Sequence, residues 1–206
     1  MMVSMSAMHI TFPNPYGARP ASQAQIASLQ QRIGFSDAYA DFLRMQNGFS
    51  MLRMETAANR DRFLTASDQI LSEQHANFRD LHSFVPDQDI DDVARLHGQQ
   101  VFARWFLEIG FDPAGNPFVE VLHGQHRGKI GSLDHDLFAG ADSESAFLSD
   151  IELPHIATWS WADQADALCA ADLGLVWMHA RSMQSFVQQL HCDAQFWGFV
   201  VDEAGL

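Results

Sequence analysis

The chain is poor in positive charge. Its 206 residues hold 12 Lys and Arg against 26 Asp and Glu, a net charge of −14 with histidine neutral. Phosphate recognition needs clustered Lys and Arg, so this balance argues against a nucleic-acid binder, and an anionic membrane surface is equally ill-matched. Cysteine is almost absent. Cys169 and Cys192 make no disulfide framework and read as free thiols of a cytoplasmic protein. No apolar run reaches the length of a membrane span. The first eight residues lack a basic residue and their apolar stretch is broken by serines, a poor match to a secretory signal.

Several catalytic signatures are missing as well. There is no Gly-x-Ser-x-Gly, no His-Glu-x-x-His, no Cys-x-x-Cys and no Gly-rich phosphate loop. The apolar fraction of 47% against 18% charged nevertheless excludes a disordered acidic tail. A chain of this length suits one core.

Residues 1–20 carry Pro13, Pro15, Pro20 and Gly17 without a helical period, which predicts a flexible N-terminal arm ahead of a single domain over 21–206. Ser22 and Gln25 form a capping-box pattern before Ile26, Leu29 and Ile33 at helical spacing, and Gly34 ends that helix. Ser36 caps a second helix with Tyr39, Phe42 and Leu43 as its apolar stripe, stopped at Asn47-Gly48. Phe49 to Met54 suits a strand. Residues near 55–100 read as a helical insertion, from the spacing of Phe63, Ala66, Ile70 and Leu71.

The strongest strand signal spans Val101 to Ile109, where residues alternate in register. A turn cluster at Asp112-Pro113-Ala114-Gly115-Asn116 leads to a return strand, Phe118 to Leu122, and a third, Lys129 to Leu133. Connections this short predict an antiparallel meander. Ser182 caps a closing helix with Met183, Phe186, Val187 and Leu190 on one face.

Four stretches, in order, resemble the SUKH superfamily. Ile26 to Gly48 (IASLQQRIGFSDAYADFLRMQNG) is similar to its opening helix pair, with Gly34-Phe35-Ser36 where Leu-Pro is usual. Phe106 to Phe118 resembles its central hairpin with an acidic Gly-Asn turn. Gly128-Lys129-Ile130, running to Asp134-His135-Asp136, resembles its next strand and acidic exit. Ser185 to Leu190 resembles its closing helix. The resemblance implies an α+β fold, with helices on one face of a mainly antiparallel mixed sheet. It also implies a role without catalysis. Many bacterial members are immunity proteins that bind a secreted toxin, often a nuclease, and related fungal members regulate cell-wall synthesis. An acidic chain suits a basic toxin domain as partner. The alternatives are a regulatory interaction module without a toxin and a metal-dependent hydrolase.

For partner binding, the residues singled out are Arg104 and Glu108, two charges on one face of an aromatic strand, with Asp112, Asp134 and Asp136 at turns and the acidic run Asp89, Asp91, Asp92. Each has an ordinary counterpart as a solvated face or a structural turn. His123, His126, Asp134 and His135 have the chemistry of a zinc site, but a hairpin turn does not fix ligand geometry as a helix would. No catalytic, metal or cofactor residue is assigned. Trp159 and Trp161 read as core, with a binding patch as the other reading. Asp142 and Glu144 suit a basic partner more weakly than the Asp89–Asp92 run, or a helix start.

Overall fold

The computed structural model describes residues 20–45, 93, 97–111, 116–138, 140–151 and 153–187. The arm, the possible strand at Phe49–Met54, nearly all of the 55–100 insertion, Asp112 and Leu190 lie outside these residues, as do Asp89, Asp91 and Asp92.

Helix α1, Gln23–Ile33, starts at the expected capping box. The Ser22 hydroxyl accepts the Gln25 N–H and the Gln25 side chain accepts the Ser22 N–H. It ends at Gly34, whose φ of 87° is the left-handed conformation that a C-cap needs. Helix α2 follows at once, Asp37–Met45, with Tyr39, Ala40, Phe42 and Leu43 buried. The Ser36 hydroxyl accepts the Tyr39 N–H at 3.2 Å, as an N-cap does.

Strands β1 (Phe106–Phe111), β2 (Pro117–Val121) and β3 (Ile130–Leu133) form the expected meander. A fourth strand, β4 (Val176–Ala180), pairs antiparallel with β3 and completes the order β1-β2-β3-β4. The α+β class is present, and all pairings among the described strands are antiparallel. The first strand begins at Phe106 rather than Val101, because residues 101–105 form a turn closed by Trp105 N–H donating to the Phe102 carbonyl. Between β3 and β4 lie helices α3 (Glu144–Asp150) and α4 (Trp161–Leu168). Residues 183–187 are helical, and the Ser182 hydroxyl accepts the Ser185 N–H as expected.

The cover of the sheet differs from the expected single face. Leu107, Phe118 and Ile130 pack with α1, α2, Met183 and Phe186. Phe106, Val119, Val121, Leu133 and Val176 belong to a second core with Phe147 and Leu148 of α3 and Ala165 and Leu168 of α4. The reason is written in β2, where all five residues are buried. A strand buried at successive positions faces apolar cover on both sides. Each fully buried aromatic contributes roughly 2–3 kcal/mol by removal from water.

Candidate functional site

The second core presents an aromatic and charged surface at its edge. It is held from beneath by a buried relay. The indole N–H of Trp105, at no exposure, donates to Gln164 Oε1 at 2.9 Å, and Gln164 Nε2 donates to the Ile156 carbonyl at 2.9 Å. Gln164 is itself buried, so both ends of its amide are spent fixing α4 and the 3-10 turn Ile156–Thr158 against the lead-in to β1. The turn after β2 docks on the same helix, with Gln125 N–H donating to Asp166 Oδ1 at 2.8 Å.

On this scaffold Trp159 and Trp161 flank Ser160, the N-cap of α4. The Ser160 hydroxyl accepts the Asp163 N–H at 3.2 Å and donates to its carboxylate at 2.6 Å. Trp161 is thereby the first helical residue and Trp159 precedes the cap, so neither is drawn into the core; they are 53% and 39% exposed. That corrects the core reading of both. A Ser-x-x-Asp cap around Trp-Ser-Trp was the sequence signal for it.

Arg104 joins this surface. Its guanidinium lies 5.0 Å from the Trp161 ring centroid and 6.0 Å from that of Trp105, and its Nη1 meets Glu144 Oε1 at 2.7 Å. The His123 ring packs on Trp161 with centroids 5.6 Å apart. Burial lowers the His123 pKa, a bond to the Arg104 backbone opposes this, and the nearby Arg127 charge lowers it further. Beside the Arg104–Glu144 pair opens a cleft of about 310 Å³, lined among others by Arg104, Glu144, Leu148, Ser149, His155 and Ile156. Among the described non-glycine residues His155 alone has positive φ, 63°. It heads the 156–158 turn without a side-chain capping bond.

Among the described charged candidates, Arg104 and Glu108 have separate partners. Arg104 precedes β1 and pairs with Glu144, not with Glu108. Glu108 accepts from Gln100 Nε2 at 2.8 Å. Asp134 caps the 3-10 turn His135–Leu137 by accepting the Asp136 N–H at 3.0 Å, and Asp136 lies exposed beside His135. Asp134 thus has a structural turn role. The possible zinc ligands do not converge either. His123 is on Trp161, His126 Nδ1 is 2.9 Å from Lys129 Nζ, and His135 Nδ1 is 2.8 Å from Asn116 Oδ1. Among the described residues no group of three or more His, Cys, Asp or Glu could hold a metal ion.

Two part-buried polar pairs lie on the first-core face of the sheet. Glu120, in mid-β2, accepts from the Ser36 N–H at 2.6 Å and the Ser36 hydroxyl at 2.9 Å. Burial pushes its pKa up to about 7, although the Ser36 bonds and the Arg127 charge pull the other way. Ser132 Oγ and His179 Nε2 are 2.8 Å apart. This has the look of a nucleophile and its base, but Ser132 is buried and the other ring nitrogen, Nδ1, has no hydrogen-bond partner among the described residues. The pair ties β3 to β4. Cys169 is a buried thiol whose pKa burial pushes up to about 12, opposite to what a nucleophile needs.

Sequence reasoning placed Arg104 in the candidate set for its charge. It gave the two tryptophans a binding patch only as the second reading and gave Asp142 and Glu144 little weight. From 142 to 166 the chain has six acids (Asp142, Glu144, Asp150, Glu152, Asp163, Asp166) and no Lys or Arg.

No family model, curated protein or solved structure matches the chain. Among the described residues no helix is long and apolar enough to cross a membrane.

Proposed function

We propose that this protein binds a basic protein and neutralises it by occlusion, as a cytoplasmic immunity protein of the SUKH type acting on a secreted toxin domain. The observation that carries the reading is the pair of exposed tryptophans set in an acidic stretch without a single Lys or Arg. Exposed Trp beside charged groups is the composition of protein-binding hot spots. A field of −14 accelerates encounter with a basic partner. The ordered resemblance of four sequence stretches supports the same role class, and the α+β fold with an antiparallel sheet is compatible with it.

Co-expression with the toxin domains encoded beside the gene tests this. Growth is expected to be restored, and the two proteins are expected to elute as one complex. Titration of the purified toxin is expected to reach full inhibition at equimolar protein, as occlusion requires. A complex with a neighbouring protein but no protection would favour the regulatory module. Inhibition at far below equimolar protein would mean catalysis and would overturn occlusion.

A further inference from the structure

We infer that the Trp161 face is a receptor for a guanidinium or ammonium group of a basic protein segment, and that Arg104 occupies it in the free protein. The inference rests on the reading above that the partner is basic, and adds where and how that partner docks.

Three observations converge. First, the free structure already seats a cation there, with the Arg104 guanidinium 5.0 Å from the Trp161 ring centroid and bonded to Glu144 at 2.7 Å. That is the geometry of cation–π attraction with a carboxylate counter-charge. Second, the ion pair is a half-exposed one, the two side chains being 35% and 34% accessible. Such a pair adds little net stability, so displacing Arg104 costs little, whereas an incoming guanidinium desolvated in an interface gains more from the same ring. Third, the surroundings favour more positive charge. Asp142, Asp150 and Asp163 are exposed on the same stretch, the cleft of about 310 Å³ opens beside the pair, and Trp159 adds a second exposed ring. An incoming arginine would stack on Trp161, take the Glu144 carboxylate and release Arg104 towards solvent. The segment following that arginine would run along the cleft past Ser149 and His155. An acidic ligand is disfavoured here, since Arg104 is the lone Lys or Arg among the cleft residues and Glu144 neutralises it.

An arginine-rich peptide is the probe, with an acidic peptide of equal length as control, and tryptophan fluorescence and calorimetry as readouts. The arginine peptide is expected to bind the intact protein and the acidic one is not. Trp161→Ala is expected to weaken binding about tenfold, the scale of a desolvated cation–π contact. Glu144→Gln is expected to weaken it several-fold without disturbing the aromatic surface. Trp177→Ala is the matched control. Trp177 is 46% exposed on β4, where it pairs with Ser132 and so faces away from the second core. Its loss is expected to change nothing. Arg104→Gln is the decisive variant, because it is expected to tighten binding several-fold by vacating the seat. Equal binding to Trp161→Ala and the intact protein, preference for the acidic peptide, or weaker binding by Arg104→Gln would each overturn the inference. The toxin titration separates the two levels. Full neutralisation by Trp161→Ala would sink this docking site and leave the immunity reading standing, whereas no neutralisation by any variant, the intact chain included, would sink that reading.

Discussion

Glu120, which is buried, and His179, which is half-buried, are each held against their electrostatic interest, and in opposite senses. Burial raises the Glu120 pKa from 4.5 to about 7 and lowers that of His179 from 6.5 to about 4. Between pH 4.5 and 7 the native state keeps a Glu120 proton that the unfolded chain has lost, so stability from this group falls as pH rises. Between pH 6.5 and 4 the unfolded chain gains a proton that native His179 refuses, so stability from this group falls as pH drops. Across the shared window the two slopes oppose one another. The intact protein is therefore expected to show a nearly flat contribution from the pair, and each single variant should expose the other limb. Glu120→Gln keeps an oxygen for the Ser36 N–H and removes the buried charge. It is expected to raise stability at pH 8 by about 2 kcal/mol and to leave a profile that falls towards pH 4. His179→Phe should leave a profile that falls from pH 4.5 to 7, with about 1 kcal/mol lost overall because Ser132 loses its partner. Urea midpoints measured from pH 4 to 8 decide it, and identical profile shapes for all three proteins would refute the opposition. The polar groups facing Glu120 are Ser36 at the start of α2, Tyr39 within it and the charged Arg127 from the turn after β2. Tyr39 is pushed upward by burial and then by Glu120, and stays neutral throughout.

At the scale of elements, the turn between β2 and β3 is the joint between the sheet and α4. Gly124 sits in it at φ 75°, and a Cβ there would lie 2.8 Å from the Ala162 carbonyl oxygen. Both the backbone and the space demand glycine. Gly124→Ala is expected to cost about 2–3 kcal/mol and to push α4 away, lowering the melting temperature and increasing the solvent exposure of Trp161. Gln164→Leu tests the same joint from below. It strands the Trp105 N–H and the Ile156 carbonyl, at an expected cost of about 2 kcal/mol. A loss below 0.5 kcal/mol in thermal denaturation for both would show that α4 is held by apolar contacts alone. This joint also marks the limit of what local pattern reveals. The helix pair and the three meander strands were legible because caps, spacing and short turns are local signals, as at Ser22, Gly34 and Ser36. Strand β4 was not, because its partner β3 lies more than forty residues earlier and Val-Trp-Met-His-Ala alternates weakly. The aromatic site was legible only in its Ser160 cap, and the rest was not for a related reason. The exposure of Trp161 follows from the cap at Ser160, and that of Trp159 from a turn that packing on Trp105 and Gln164 determines. Arg104 was selected for its charge and its true partner, Glu144, is forty residues away.

For the whole molecule, a net charge of −14 acts on folding and on binding with opposite sign. Like charges repel within the native state, and the two apolar cores on either face of one sheet hold them at closer range than the unfolded chain does. Added salt screens that repulsion, since the Debye length shrinks from about 30 Å at 0.01 M to about 8 Å at 0.15 M. Folding stability is therefore expected to rise with salt over this range. Association with a basic partner draws on the same field as an attraction, so its rate is expected to fall over the same range, by more than tenfold if steering dominates encounter. Thermal denaturation and stopped-flow association, measured in the same buffers, check the pair of signs. If stability and association rate both fall with salt, specific surface ion pairs such as Arg104–Glu144 outweigh the global field in folding. If the association rate is indifferent to salt, the acidity of the chain is a matter of solubility and the partner is not recognised by charge.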